Sequence, residues 1–300
     1  MRPEQRRIDP MIPTLLSFGH GYSARAFSRL VLDRGWRVFG TTRSPDKAEA
    51  LRRTGVVPVI WPGSDMSLAL AQATHLLIST APDDDGDPVL AELAGEILRA
   101  AEQLEWVGYL STTGVYGDHQ GGWVDETTPL TPATKRGHQR VKAEAQWQSL
   151  AEVSGLPLHV FRLAGIYGPG RGPFAKVRRG TARRIVKPGQ VFSRIHVDDI
   201  AQVLLASVDR PNPGAIYNVC DDEAAPPEQV LAHAADLLGV ALPPEEDYAT
   251  AEMTPMAKSF YAESKRVRND RIKDELGVEL LYPTYREGLA ALLALETAEE

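Results

Sequence analysis

Gly19-His20-Gly21-Tyr22-Ser23-Ala24 places small residues where a predicted strand gives way to a predicted helix, a spacing suited to holding joined phosphates. Gly19 lets the chain turn tightly, and Gly21 leaves room for a pyrophosphate to approach backbone N–H groups. Ala24 permits close helix–strand packing. The same string also fits a tight turn with no ligand. Thr41-Thr42-Arg43-Ser44 closes the next predicted strand and carries no acidic residue to accept a ribose 2′-hydroxyl. Arg43, with a hydroxyl from Thr42 or Ser44, suits a 2′-phosphate instead. NADP is therefore expected ahead of NAD, against the plainer reading of Arg43 as a solvated surface arginine. Ser79-Thr80-Ala81-Pro82 supplies small residues across which such a cofactor would lie.

A second candidate region runs from Arg171 to Arg194. It contains Arg171, Lys176, Arg178, Arg179, Arg183, Arg184, Lys187 and Arg194 and no acidic residue, in a chain whose formal charge is −7. Arginine forks match phosphate and carboxylate oxygens, so an anion clamp and a solvated helix face compete as explanations. Aromatic interleaving is lacking, with Phe174 and Phe192 alone, and no nucleic-acid partner is expected. His196-Val197-Asp198-Asp199 suits a helix cap better than a metal site, and no metal is expected. The single cysteine, Cys220, excludes an intrachain disulfide.

The elements needed to position these residues are legible as alternation. Short apolar runs at Thr14–Phe18, Trp36–Thr41, Val56–Ile60, His75–Thr80, Trp106–Ser111, Pro157–Leu163 and Ala215–Val219 read as strands. Helical patterns at Tyr22–Arg34, Pro88–Leu104 and from Thr131 to about Ser154 separate them, with Thr131 and Pro132 as N-cap and first turn. This is α/β: a doubly wound parallel sheet spanning residues 13–220, with a smaller C-terminal substrate lobe over 221–300 and a loose tail over 1–12. A final amphipathic helix begins near Tyr282 and docks on the rest. No apolar run reaches the roughly 18 residues that spanning a bilayer needs, so no membrane partner is expected. The basic patch at Arg2–Arg7 before Ile12–Phe18 superficially resembles a signal peptide. Pro13 interrupts the run and a glycine turn follows, so a cytoplasmic location is expected.

Four further strings come in a fixed order: Ser111-Thr112-Thr113-Gly114-Val115-Tyr116-Gly117, Arg162-Leu163-Ala164-Gly165-Ile166-Tyr167-Gly168-Pro169-Gly170, Ile195-His196-Val197-Asp198-Asp199-Ile200-Ala201, and Tyr217-Asn218-Val219. Together with the glycine turn they resemble the extended short-chain dehydrogenase/reductases, the epimerase/dehydratase-like group built on a Rossmann fold. The resemblance implies that Thr112 bonds the substrate oxygen. It also implies an acid/base tyrosine followed four residues later by a lysine that holds the nicotinamide ribose. Lys142 fits the lysine, but the tyrosine position then falls on His138. Four readings of His138 follow: a substitute acid/base, a bystander while Tyr167 or water donates the proton, a sign that hydride chemistry is lost, or a surface histidine. Tyr261 and Lys265 share the four-residue spacing, but they lie in the C-terminal lobe and read as coincidence. The resemblance implies an oxidoreductase or epimerase whose substrate is often a nucleotide sugar; with the Arg43 reading and the basic stretch, the expectation is an NADP-preferring enzyme acting on a small anionic substrate held by Tyr167, Arg171, Arg178 and Arg194. The resemblance also implies a homodimer. The alternative is a non-catalytic NADP(H) sensor.

Overall fold

The computed structural model describes residues 12–298, so the predicted tail lies, apart from Ile12, outside the described residues. Seven parallel strands form one sheet: β1 (Thr14–Phe18), β2 (Arg37–Thr42), β3 (Val57–Ile60), β4 (His75–Ile78), β5 (Trp106–Thr112), β7 (Leu158–Leu163) and β11 (Ile216–Val219). Their order is β11-β7-β5-β4-β1-β2-β3. The chain winds outward from β1 in one direction through β3. It then restarts at β4 on the other side of β1, placing a topological switch point between β1 and β4.

Side chains alternate along a strand, and both faces of this sheet are covered. Leu15, Leu77, Trp106 and Phe161 face α1 (Tyr22–Asp33) and α7 (Val197–Asp209). Leu16, Leu76, Val107 and Tyr109 face α3 (Ser67–Gln72), α4 (Pro88–Ala100) and α5 (Lys135–Ser154). The short α2 (Pro45–Arg52), which the apolar pattern does not announce, leads into β3. The helix expected through Leu104 stops at Ala100 and tightens into a 3₁₀ turn at Ala101–Gln103.

One predicted start is corrected. Thr134, not Thr131, caps α5, its Oγ1 accepting the Gly137 N–H at 3.1 Å. Thr131 is held elsewhere, its hydroxyl donating to the Tyr116 carbonyl at 2.7 Å.

Beyond β7 the chain builds its second layer from small pieces: α6 (Phe174–Arg178), α8 (Pro227–Leu237), α9 (Pro255–Tyr261), α10 (Asp270–Asp274) and α11 (Tyr285–Ala298). Three two-stranded parallel pairs stitch it down. They join β8 (Gly165–Tyr167) to β10 (Arg194–His196), β9 (Arg184–Val186) to β12 (Glu245–Asp247), and β6 (Trp123–Val124) to β13 (Arg266–Val267). A third apolar core of Tyr167, Phe174, Val177, Ala234, Tyr285 and Leu289 lies here, and α11 is the expected docking helix, beginning at Tyr285.

Candidate functional site

The glycine crook stands at the switch point. Gly19 has φ +69°, a left-handed conformation that costs glycine nothing, and a Cβ there would come within 2.9 Å of the Thr80 amide at the end of β4. Its N–H donates to Thr41 Oγ1 at 2.8 Å, binding the crook to β2. His20 turns inward, its ring against Gly40 and its Nε2 3.3 Å from Ser28 Oγ. Burial holds this imidazole down to about 4, with Arg25 adding to the effect, so it is neutral near pH 7. Gly21 is exposed, and a Cβ there would meet only the Gly19 carbonyl at 3.5 Å.

The first turn of α1 has no side-chain cap and no acidic residue. Its leading N–H groups, Tyr22, Ser23 and Ala24 among them, have no intrahelical acceptor. Thr80 Oγ1 is buried without a hydrogen-bond partner among the described residues. Bare amides at the positive end of a twelve-residue helix, beside an orphan hydroxyl, fit a pyrophosphate. Ser79 and Ala81 flank that hydroxyl at the end of β4. At the end of β2, Arg43 is exposed and Thr42 Oγ1 accepts the Ser44 N–H at 3.3 Å.

A cavity of about 700 Å³ opens beside this crevice, between the C-terminal edge of the sheet and the second layer. Thr112, Tyr167, Arg171 and Arg194, all expected at the site, line it. Thr112 Oγ1 accepts the Gly114 N–H at 3.2 Å. Arg171 joins cavity to crook, stacking over the Tyr22 ring at 5.0 Å, while the Tyr22 hydroxyl donates to the Pro169 carbonyl at 2.9 Å. The expectation for Arg178 is corrected: it pairs with Glu296 on α11. Arg183 and Arg184 similarly pair with Glu246 and Glu245. Three of the eight basic residues of this stretch thus bind acidic residues of the C-terminal layer.

The crossover helix also requires a correction. Neither His138 nor Lys142 is among the cavity's lining residues, and the Lys142 ammonium donates to the Asp84 carbonyl at 2.8 Å on an exposed face. The face of α5 turned to the sheet is marked by Gly137, Glu144 and Trp147. At about 100° per residue, Arg140 lies roughly 40° and Arg136 roughly 80° from Glu144, whereas His138 lies roughly 120° and Lys142 roughly 160° away. Arg136 accordingly lines the cavity, and Arg140 Nη1 donates to the Leu110 carbonyl (2.8 Å) and Tyr109 hydroxyl (3.0 Å) of β5. Tyr261 and Lys265, set aside as coincidence, both line the cavity, although they do not share a helix.

Beneath Thr112 runs a buried polar chain. Ser111 Oγ donates to Glu144, which pairs with Arg162 at 2.8 Å; Arg162 donates to the Tyr116 hydroxyl (2.9 Å), which donates to Asn218 (2.8 Å). Composition does not announce this network, because its members come from β5, the 3₁₀ turn at Thr113–Tyr116, α5, β7 and β11. Behind the cavity floor, burial pushes the Asp221 carboxyl up to about 8 despite the nearby Arg194, and raises the Tyr167 hydroxyl, which has no partner among the described residues. His196 caps α7, its Nδ1 accepting the Asp198 N–H at 3.2 Å. Asp199 accepts the N–H groups of Leu281 (2.6 Å) and Tyr282 (3.2 Å). Among the described residues no helix is long and apolar enough to cross a membrane.

A parallel sheet with a glycine crook at its switch point and helices on both faces defines a Rossmann-like α/β protein. The sequence model of the NAD dependent epimerase/dehydratase family matches residues 18–220, and the chain belongs to that family. A functionally unknown conserved protein from Silicibacter pomeroyi DSS, known as a solved structure, is 64% identical with a TM-score of 0.89, covering 96% of this chain and all of that one. Protein YeeZ of Escherichia coli (strain K12) is 29% identical over 278 residues, 88% of this chain and 94% of YeeZ. The fold alone is shared with a UDP-glucuronic acid 4-epimerase from Bacillus cereus in complex with UDP-glucuronic acid and NAD: TM-score 0.76, 15% identity, 96% of this chain and 100% of that one.

Proposed function

We propose that this chain is a nicotinamide-dinucleotide-dependent oxidoreductase or epimerase that prefers NADP and acts on a small anionic substrate. The observation that carries the reading is the continuity of crook and cavity through the Tyr22–Arg171 stack. In this reading the first-turn amides of α1 hold the pyrophosphate, with Ser79, Thr80 and Ala81 beneath the dinucleotide. Arg43, with the Ser44 hydroxyl, receives the 2′-phosphate. When bound, the nicotinamide supplies hydride transfer. Thr112 orients a substrate oxygen at the end of β5, while Tyr167, Arg171 and Arg194 enclose the substrate. Family membership and the NAD held by the Bacillus cereus epimerase support the dinucleotide; Arg43 alone supports NADP over NAD.

One observation favours a second reading, a non-catalytic NADP(H) sensor. The helix face toward the cavity presents Arg136, which does not exchange protons near neutrality. Neither reading requires a membrane or nucleic acid, and a homodimer remains part of the proposal by family likeness. Titration calorimetry tests the cofactor reading. NADPH is expected to bind more tightly than NADH, and Arg43→Ala to narrow the gap by about tenfold, the weight of one charged hydrogen bond. Equal affinities in the unsubstituted protein would remove the NADP assignment.

A further inference from the structure

Of the cations lining the cavity, two already donate to protein oxygens and a third is stacked on a ring. Lys265 donates to Glu263 at 2.6 Å and to the Gly117 carbonyl at 2.7 Å. Arg194 Nη1 donates to the carbonyls of Phe192 (2.9 Å) and Ala225 (3.0 Å). Arg171 lies over the Tyr22 ring. Arg136 has no hydrogen bond or ion pair among the described residues. It also stands in the first turn of α5, which holds no acidic residue, at the positive end of a twenty-residue helix. Its neighbour Lys135 is neutralised by Asp84 at 2.7 Å. Arg136 is thus an unpaired cation where the helix itself disfavours one, and it faces a cavity. An anion seated there would satisfy both.

The rest of the wall narrows the class of anion. Ile166, Phe192, Phe260 and Tyr261 give the cavity an apolar, aromatic side. Phe260 lines it while remaining 58% exposed. The Arg136 guanidinium matches one planar carboxylate in a two-bond fork, whereas a diphosphate, with more charge, would also face Glu263. Resting on the reading of this cavity as the substrate site, we propose that Arg136 is the receptor for a substrate carboxylate and that the substrate is an aryl carboxylate. Arg136 is then a binding residue that sets specificity.

The test is titration calorimetry with 3-phenylpropanoate, its amide, UDP-glucose and inorganic phosphate, each with and without NADPH, so that failure of the cofactor reading appears separately. Wild type is expected to bind 3-phenylpropanoate saturably. Arg136→Gln should weaken it about 10- to 100-fold, the weight of a charged hydrogen bond, and Arg136→Lys should weaken it less. The amide should bind wild type no better than the acid binds Arg136→Gln. Because the side chain is exposed and unpaired, Arg136→Gln should melt with the wild type. Three results would overturn the proposal: unchanged affinity in Arg136→Gln, equal affinity for acid and amide, or UDP-glucose or phosphate binding with the carboxylate excluded.

Discussion

Glu144→Gln removes one charge from a pair whose side chains are 2% and 3% exposed, and leaves the Arg162 guanidinium buried with only the Tyr116 hydroxyl and a neutral amide. A buried pair broken on one side costs about 3–5 kcal/mol, because the surviving charge keeps its desolvation penalty without its partner. At roughly 2.1 cal/mol/K per residue, 300 residues unfold with an entropy near 0.63 kcal/mol/K, so the midpoint should fall by about 5–8 °C. The Ser111 hydroxyl loses its charged acceptor in the same step, and Thr112, its neighbour on the cavity wall, loses support. Calorimetric melting with urea denaturation reads the change. A companion Glu144→Leu, Arg162→Met double substitution removes both charges and should cost less than the sum of the two singles. A loss for Glu144→Gln below about 1 kcal/mol, or strict additivity in the double, would refute the view that this pair is desolvated and coupled.

Further outcomes follow from the geometry. Lys142→Ala should leave NADPH affinity unchanged, since its ammonium serves the Asp84 carbonyl on the surface. Arg140→Ala should lower the melting midpoint, because β5 loses two hydrogen bonds; tenfold weaker NADPH binding in Lys142→Ala would show that the face of α5 has been misassigned. Burial holds His20, His75 and His159 down to about 4, so proton NMR should find these rings neutral well below pH 6. The stability these neutral rings contribute is fully present above about 6.5 and is lost as pH falls from there toward 4, where the unfolded chain takes up protons that the folded chain refuses. Asp199 and Asp221 act in the opposite sense, costing stability as pH rises above the ordinary carboxylate value until they ionise near 6 and 8. A ring titrating near 6.5 would contradict its burial.

The sheet was readable because its strands are apolar on both faces: Thr14–Phe18 and His75–Ile78 leave no solvent face, and two covered faces require helices on each side. The glycine crook was readable because Gly19 needs a left-handed φ that other residues rarely adopt. The face of α5 was not readable in the same way. Its inward stripe contains a glycine, an arginine and a glutamate, so apolar periodicity gives no phase, and the nearest Lys was two positions from the geometry that matters. The buried Glu144 would have set the phase, but its burial depends on Arg162, eighteen residues away on another element. The cavity's far wall lay beyond reach for a similar reason. Tyr261 and Lys265 come to it through β13 pairing with β6, a contact across more than 140 residues that no local pattern encodes.

The central claim is that the crook at the head of α1 holds the pyrophosphate of a nicotinamide dinucleotide, and Gly21→Ala tests it most directly. A methyl group there meets only the Gly19 carbonyl at 3.5 Å, so the fold should tolerate it and the melting midpoint should not move. The same methyl occupies the approach to the first-turn amides, so titration calorimetry should show saturable NADPH binding by the wild type and at least about tenfold weaker binding by the variant. Equal affinity in the two proteins, or a wild type that binds neither NADPH nor NADH, would contradict the account.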